Sequence, residues 1–236
     1  MSLLIPLLGL LAPAAAGVPL PLSVEVHARA LAPGEPLRLE VRAEEPLAEL
    51  AGSLLGEPVF LTRSVGRGAG ERWSGWSMIP LDQTAGMATV EIQGRTARGR
   101  QVVGTRLFTV KAKTFPEEQL SVAPRYVEPP PEVAARLADE RARLAEIYRT
   151  RRAWTPDETP FVRPVPGGPT SAFGTRRLYN GKPRSPHPGL DLRAASGTEV
   201  KSSGTGRVVL ARDLYYSGNT VIVDHGGGLF TLYAHL

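Results

Sequence analysis

The sequence predicts a mainly β protein, in which a small immunoglobulin-like β-sandwich is followed by a linker helix and a second, antiparallel β-rich domain. Three observations lead to this fold class. Apolar and polar residues alternate in the first half of the chain, as in half-buried antiparallel strands. The 236 residues include 25 Gly and 22 Pro, more than helix interiors tolerate. Turn signals rich in glycine separate the apolar stretches.

The predicted sandwich covers residues 22–113. Its strands are indicated by the alternating sets Leu37-Leu39-Val41, Val90-Ile92 and Phe108-Val110. Turns are predicted at Pro33-Gly34, within 66–70 and within 94–99. Trp73 and Trp76 are interpreted as packing residues, with a carbohydrate-stacking pair as the alternative.

A Pro-rich linker is predicted over residues 114–160, because a run such as 129–131 stiffens the chain and does not fit a central strand. Within it, helical spacing of apolar residues predicts a helix over 132–149, with Pro131 in its first turn. The periodic residues are Val133, Leu137, Leu144 and Ile147. The charges Asp139, Glu140, Arg141 and Arg143 are interpreted as a solvated face, and the helix as a packing or spacer element.

The N-terminal residues 1–16 are predicted to be a signal peptide. They form a short apolar run that ends in three alanines, small residues of the kind that precede a cleavage site. Pro6 and Pro13, together with the shortness of the run, argue against a membrane span, and no other stretch is long and apolar enough to form one. We therefore expect export to the periplasm, the cell envelope or the extracellular space.

Composition excludes several classes of function. The chain has no cysteine, which removes disulfides, thiolate metal sites and cysteine nucleophiles. The net charge is +5, but the arginines are scattered and no recognition motif is visible, so nucleic acid is not an expected partner. An anionic cell wall suits an exported basic protein better.

Candidate metal ligands lie near the end of the chain. Three of the four histidines, His187, His225 and His235, fall within the last fifty residues, whereas His27 stands alone in a strand-like stretch. In a chain without cysteine, a metal must be held by imidazole and carboxylate.

His187 and Asp191 are four residues apart in the segment HPGLD. Pro188 and Gly189 make a helix unfavourable there. Four extended residues span roughly 13 Å, too far for two side chains to reach one ion at about 2 Å each. The chain must therefore bend at this point if both residues are ligands.

Five motifs in a fixed order make residues 170–236 resemble the lysostaphin (LytM-type) family of peptidoglycan metalloendopeptidases. The motifs are TSAFGTRR (170–177), NGKPRSPHPGLDLRAASGTEV (180–200), GRVVLA (206–211), SGNTVIVDHGGG (217–228) and TLYAHL (231–236). More loosely, the upstream β-region, the FPEEQL stretch and the following helix resemble the accessory region of exported members. The resemblance implies a peptidase domain over residues 161–236.

The resemblance implies that His187 and Asp191 are the first two zinc ligands. His235 matches a histidine that lines the site and assists the attacking water or the transition state without binding the metal. His225 matches a structural position, and Asn180 is expected to shape the substrate groove. The third ligand of the family comes from a His-x-His motif, which this sequence does not contain. We interpret that difference as an incomplete peptidase domain, truncated at its C-terminus.

The function implied is an exported zinc metalloendopeptidase that hydrolyses peptide cross-links or stems of peptidoglycan. The alternative is a non-catalytic cell-wall-binding or amidase-activator module with a degenerate metal site, because two ligands hold zinc more weakly than three.

Overall fold

A computed structural model describes residues 20–64, 70–123, 129–150, 152, 161–183 and 186–236. The predicted signal peptide, 1–16, lies outside the described residues. Mainly β architecture is confirmed, with a single α-helix, α1 (Ala134–Arg149), in the described part of the chain. No described helix combines the length and the apolar character needed to cross a bilayer.

The first part of the chain forms two packed sheets. Its strands are β1 (Leu20–Pro21), β2 (Ser23–Ala28), β3 (Pro36–Ala43), β4 (Leu47–Leu54), β5 (Glu57–Val59), β6 (Thr62–Ser64), β7 (Glu71–Met78), β8 (Gly86–Thr96) and β9 (Gln101–Val110). One sheet has the order β2-β3-β7-β6 and the other β1-β9-β8-β4-β5. All neighbours pair antiparallel except β1 and β9.

The core between the two sheets follows the alternation in the sequence. Leu37, Leu39 and Val41 on β3 are fully buried, as is Val90 on β8, and all of them belong to one hydrophobic cluster. Burying each such side chain contributes about 1.5–3 kcal/mol. Trp73 packs against the same cluster, in agreement with its interpretation as a packing residue.

One of the predicted turns is wrong in part. Gly94 lies inside β8, and the turn begins only after Thr96. A Cβ at Gly94 would come within 2.3 Å of the Glu49 carbonyl oxygen on β4, where the pairing of the two strands shifts register. Glycine is therefore required for close approach of the strands. The predicted turn over 66–70 falls largely outside the described residues, apart from Gly70.

The described residues of the second part of the chain form three small sheets. Its strands are β10 (Glu117–Leu120), β11 (Pro169–Ser171), β12 (Arg176–Tyr179), β13 (Lys182–Pro183), β14 (Asp191–Leu192), β15 (Arg207–Leu214), β16 (Gly218–Gly226) and β17 (Leu229–Tyr233). The sheet orders are β10-β12-β13, β11-β14 and β15-β16-β17. β10 pairs parallel with β12, so the range interpreted as a linker contributes an edge strand.

The helix packs on the β15-β16-β17 sheet. After a 3₁₀ turn at Pro131–Val133, α1 buries Ile147 in a cluster with Leu210, Leu214 and Ile222. The helix was predicted over 132–149, and the 3₁₀ turn and α1 together cover Pro131–Arg149.

The interpretation of Glu140 as part of a solvated face is wrong. Its side chain is buried, and both carboxylate oxygens accept the Tyr215 backbone N–H, at 3.1 and 3.2 Å. Arg136 donates to the same carboxylate at 2.6 Å and also to Asp213. Glu140 therefore fixes the helix to the turn between β15 and β16.

Phe173 connects the two parts of the chain. A Cβ at Gly34 of the sandwich would lie 2.4 Å from the Phe173 ring, and Gly34 has φ +77°. Phe115 makes an edge-to-face contact with Phe173 and covers Gly174. The segment around residue 173 is therefore packed from both sides.

Candidate metal centre

His187 and Asp191 come together in the structure. His187 Nε2 lies 3.2 Å from Asp191 Oδ1. The chain bends at residues 188–189, and Asp191 is the first residue of β14. The His187 backbone is fixed on both sides, because its N–H donates to the Thr175 carbonyl at 2.9 Å and its carbonyl accepts the Gly174 N–H at 2.8 Å. The bend required by the sequence is therefore present.

A backbone carbonyl orients the His187 ring. Nδ1 lies 3.2 Å from the Ala172 carbonyl oxygen, which can only accept a hydrogen bond. The proton of the neutral imidazole is therefore placed on Nδ1, and the lone pair of Nε2 faces Asp191. Metal-binding histidines typically have such a partner on the second ring nitrogen. The His187 side chain is 11% exposed and that of Asp191 43%, so the pair is reachable from solvent.

The two donors fit a tetrahedral zinc ion. Zinc bonds to imidazole and carboxylate are about 2.0–2.2 Å, which puts two ligand atoms of a tetrahedron roughly 3.3 Å apart. The observed separation of Nε2 and Oδ1 is 3.2 Å. Arg177 donates to the other Asp191 oxygen, Oδ2, at 3.2 Å, and this leaves Oδ1 for an ion. The pair supplies two protein ligands, and their role as ligands remains a prediction.

His235 lies at the end of the sheet and is exposed. Its backbone N–H donates to the Ser217 carbonyl at 2.9 Å, and its Nδ1 would lie 3.9 Å from a Cβ at Gly218. Its φ of 59° is left-handed. Within the described residues, a group of three His or carboxylate donors within 4.8 Å occurs only in the sandwich, so His235 is not at ligand distance from both His187 and Asp191. A lining role without metal binding is compatible with this position.

His225 is a buried structural residue in this geometry. Its Nδ1 donates to the Thr205 carbonyl at 2.7 Å, and Nε2 lies 2.8 Å from Thr231 Oγ1. Thr231 also contacts the Tyr233 hydroxyl, whose oxygen accepts the Ser203 N–H at 2.6 Å. Both ring nitrogens are thus engaged inside the protein.

A second cluster of donors lies on the sandwich. It consists of Glu25, His27 and Glu40. Arg42 donates to Glu40 at 3.0 Å, with Arg38 and Arg72 within 4 Å. Burial alone would raise the pKa of Glu40, but the hydrogen bond from Arg42 and the charges of Arg42, Arg38 and Arg72 lower it below its usual value. Guanidinium groups already neutralise this carboxylate. His27 Nε2 lies 3.3 Å from Glu25 Oε2 and 3.8 Å from Glu40 Oε2, beside this network, in line with its structural interpretation.

The side-chain amide of Asn180 is hydrogen-bonded within the protein. Its Nδ2 donates to the Val122 carbonyl at 2.9 Å, and its Oδ1 accepts the Val122 N–H at 3.1 Å. Its own N–H donates to the Leu120 carbonyl. Asn180 therefore extends the pairing of β10 with β12 and has a structural role.

Comparison with known proteins identifies the class of the C-terminal segment. Residues 185–236 match the model of "Peptidase family M23". A solved structure described as "putative peptidase M23 from pseudomonas aeruginosa" superposes with a TM-score of 0.60 and 28% identity, and covers 88% of this chain and 75% of that one. The match of residues 185–236 to this family confirms the LytM-type resemblance of the C-terminal segment.

Two curated proteins that resemble part of this chain are named as peptidoglycan endopeptidases. The chain is 43% identical over 68 residues to the peptidoglycan DD-endopeptidase ShyA of Vibrio cholerae, and 35% identical over 68 residues to ShyB of the same organism. Each match covers 28% of this chain and 16% of the relative. The chain therefore aligns with about one sixth of the length of these relatives.

Sequence reasoning did not find the contacts around Asp191. Arg177 reaches Asp191, Ser171 and Glu118 from β12, yet in the sequence it is one of two adjacent arginines. Strand alternation sends the two side chains to opposite faces, but which one faces the site depends on the pairing of β12.

Proposed function

We propose that this chain is an exported zinc-dependent endopeptidase that hydrolyses peptide bonds of peptidoglycan, in the cross-links or stems. His187 Nε2 and Asp191 Oδ1 would hold the zinc ion, and His235 would assist the attacking water or the transition state. The observation that carries the proposal is the 3.2 Å approach of these two donors inside the M23 segment. The named activity of the two Vibrio relatives and the apolar run 1–16 support the substrate and the export.

The residues of the chain prepare the site in defined ways. A bound zinc ion supplies the Lewis acid that activates water and polarises a peptide carbonyl. The Ala172 carbonyl keeps the His187 proton on Nδ1, which leaves Nε2 ready as a donor without a tautomer change. His235 is exposed, and an imidazole at this position would donate or accept a proton once substrate is bound.

Zinc binding and muropeptide release test the proposal together. We expect about one zinc per chain, and release of peptides from isolated sacculi that stops with a chelator and returns with zinc. His187→Ala should lose both zinc and peptide release, and His27→Ala, beside Glu25 and Glu40 on the sandwich, should lose neither. Unchanged zinc content in His187→Ala would show that His187 is not a zinc ligand and would contradict the proposed site.

His235 is tested separately from the ligands. His235→Ala should retain zinc, since its ring is not at ligand distance from the pair. Loss of general acid–base assistance should slow release by about 10²–10⁴-fold. A parallel loss of zinc would instead make His235 a ligand.

A non-catalytic wall-binding or amidase-activator module is the second candidate. It is favoured by the number of donors, because catalytic zinc sites generally have three protein ligands and the described residues bring two together here. If the folded protein binds sacculi but releases no peptides at saturating zinc, the non-catalytic function is the correct one.

A further inference from the structure

Arg177 is the centre of a small network beside the candidate metal centre. Its Nη2 donates to Asp191 Oδ2 at 3.2 Å and to Ser171 Oγ at 2.9 Å. Its Nε lies 3.5 Å from Glu118 Oε2, an ion-pair contact without a hydrogen bond, and its side chain is only 19% exposed. One guanidinium therefore connects two carboxylates and a hydroxyl.

The partners of Arg177 come from three strands. Glu118 lies on β10 and is the register partner of Arg177 itself. Ser171 ends β11, where it is the register partner of Asp191 on β14. Since these strands belong to two different sheets, Arg177 fixes the position of β14 relative to β12.

We propose that Arg177 is a positioning residue for the metal ligand Asp191, and that Glu118 balances its charge. The inference rests on the proposed zinc site. With Oδ2 held by the guanidinium, the carboxylate is turned so that Oδ1 faces His187 Nε2. An outer contact of this kind removes the rotational freedom that an isolated, 43% exposed carboxylate would have.

The charge of Arg177 would by itself repel a divalent cation. Glu118 offsets this effect, because two carboxylates and one guanidinium carry a formal net charge of −1. The site thus keeps its attraction for a cation while Asp191 is held. Arg177 also leaves only one Asp191 oxygen free, which suits a four-coordinate zinc ion better than calcium, which takes six to eight oxygen ligands.

Zinc affinity of the full chain, measured by competition with a chromophoric chelator, tests the inference. Arg177→Met should weaken zinc binding by about 10–100-fold, the usual effect of removing an outer contact to a metal ligand. Arg177→Lys keeps the charge with one donor group and should recover part of the loss. Glu118→Gln should weaken binding by a smaller factor, because the positive charge is then less balanced. Arg176→Met, at the neighbouring exposed position on the same strand, is the matched control and should bind as the unchanged protein does.

The outcomes separate the two proposals. Absence of zinc binding by the unchanged protein would overturn the proposed function. Zinc binding by the unchanged protein and equal or tighter binding by Arg177→Met would overturn the positioning role and leave the metal site in place. Thermal unfolding identifies folded variants, and if Arg177→Met does not fold, Arg177→Lys decides: affinity equal to that of the unchanged protein counts against the proposal.

Discussion

Replacing Gly34 by alanine should disturb the sandwich and the metal-ligand loop together. A Cβ at this position would lie 2.4 Å from Phe173 Cε1 and 2.9 Å from Leu81 Cδ2. Ordinary carbon contacts are about 3.5–4.0 Å, so the Phe173 ring must move by roughly 1 Å. Overpacking of this kind costs about 1–3 kcal/mol.

The backbone contributes a second cost that can be subtracted. Gly34 has φ +77°, and alanine in the left-handed region costs about 1–2 kcal/mol. Gly99 has φ +80°, but a Cβ there would meet nothing within 4 Å. Gly99→Ala therefore carries the backbone cost alone, and the difference between the two variants gives the cost of the contacts with Phe173 and Leu81.

We expect Gly34→Ala to lower the free energy of unfolding by about 1–3 kcal/mol more than Gly99→Ala does. Urea unfolding followed by tryptophan fluorescence measures this difference. Gly34→Ala should also weaken zinc binding, because Phe173 lies between Ala172 and Gly174, which both bond His187. Equal losses of stability in the two variants would refute the claim that Phe173 presses on the sandwich.

Three further outcomes are expected. Glu140→Ala should lower the free energy of unfolding by about 1–3 kcal/mol, because it removes the buried carboxylate that accepts the Tyr215 N–H. Urea unfolding should show a decrease of less than about 0.5 kcal/mol for Glu146→Ala, an exposed position on the same helix. Asp191→Ala should lower zinc affinity in chelator competition more than it lowers stability, since its side chain is 43% exposed and Arg177 keeps its contact with Ser171. Full zinc retention would contradict its ligand role. Burial raises the pKa of Tyr233, but hydrogen bonds to its hydroxyl outweigh burial and lower the pKa below 10.0. Ionisation of Tyr233 therefore contributes no stability at neutral pH, and its stabilising contribution appears as the pH rises through the pKa of the folded state. Phenolate absorbance should show a component with a midpoint below 10.0 that Tyr233→Phe removes.

The sandwich core was predictable because burial there follows local alternation. Leu37, Leu39 and Val41 alternate with polar residues and are all fully buried, since one face of β3 packs against the opposite sheet. The approach of His187 and Asp191 was also foreseeable, because the segment between them cannot stay extended if both bind one ion.

Other features depend on contacts between distant parts of the chain. A helical glutamate such as Glu140 can face solvent or a neighbouring sheet, and nothing in the local pattern shows that the Tyr215 N–H needs an acceptor there. The role of Arg177 could not be predicted either. Arg176 and Arg177 are chemically identical in the sequence, and only the pairing of β12 decides which one contacts Asp191. β10 was missed because it is four residues long and its partner β12 lies beyond residues 121–175.

The parallel pairing of β10 with β12 has a consequence for how this chain reaches its native state. Residues 121–175, including α1, must already be looped back before the two strands can meet. Closing so long a loop has an entropic cost that is recovered only when the strands dock, so this pairing should form late. A fragment that begins at residue 161 would lack β10 and leave one edge of β12 without a neighbour. Unpaired edges of this kind promote association between copies, and a preparation intended for solution studies should begin upstream of Phe115.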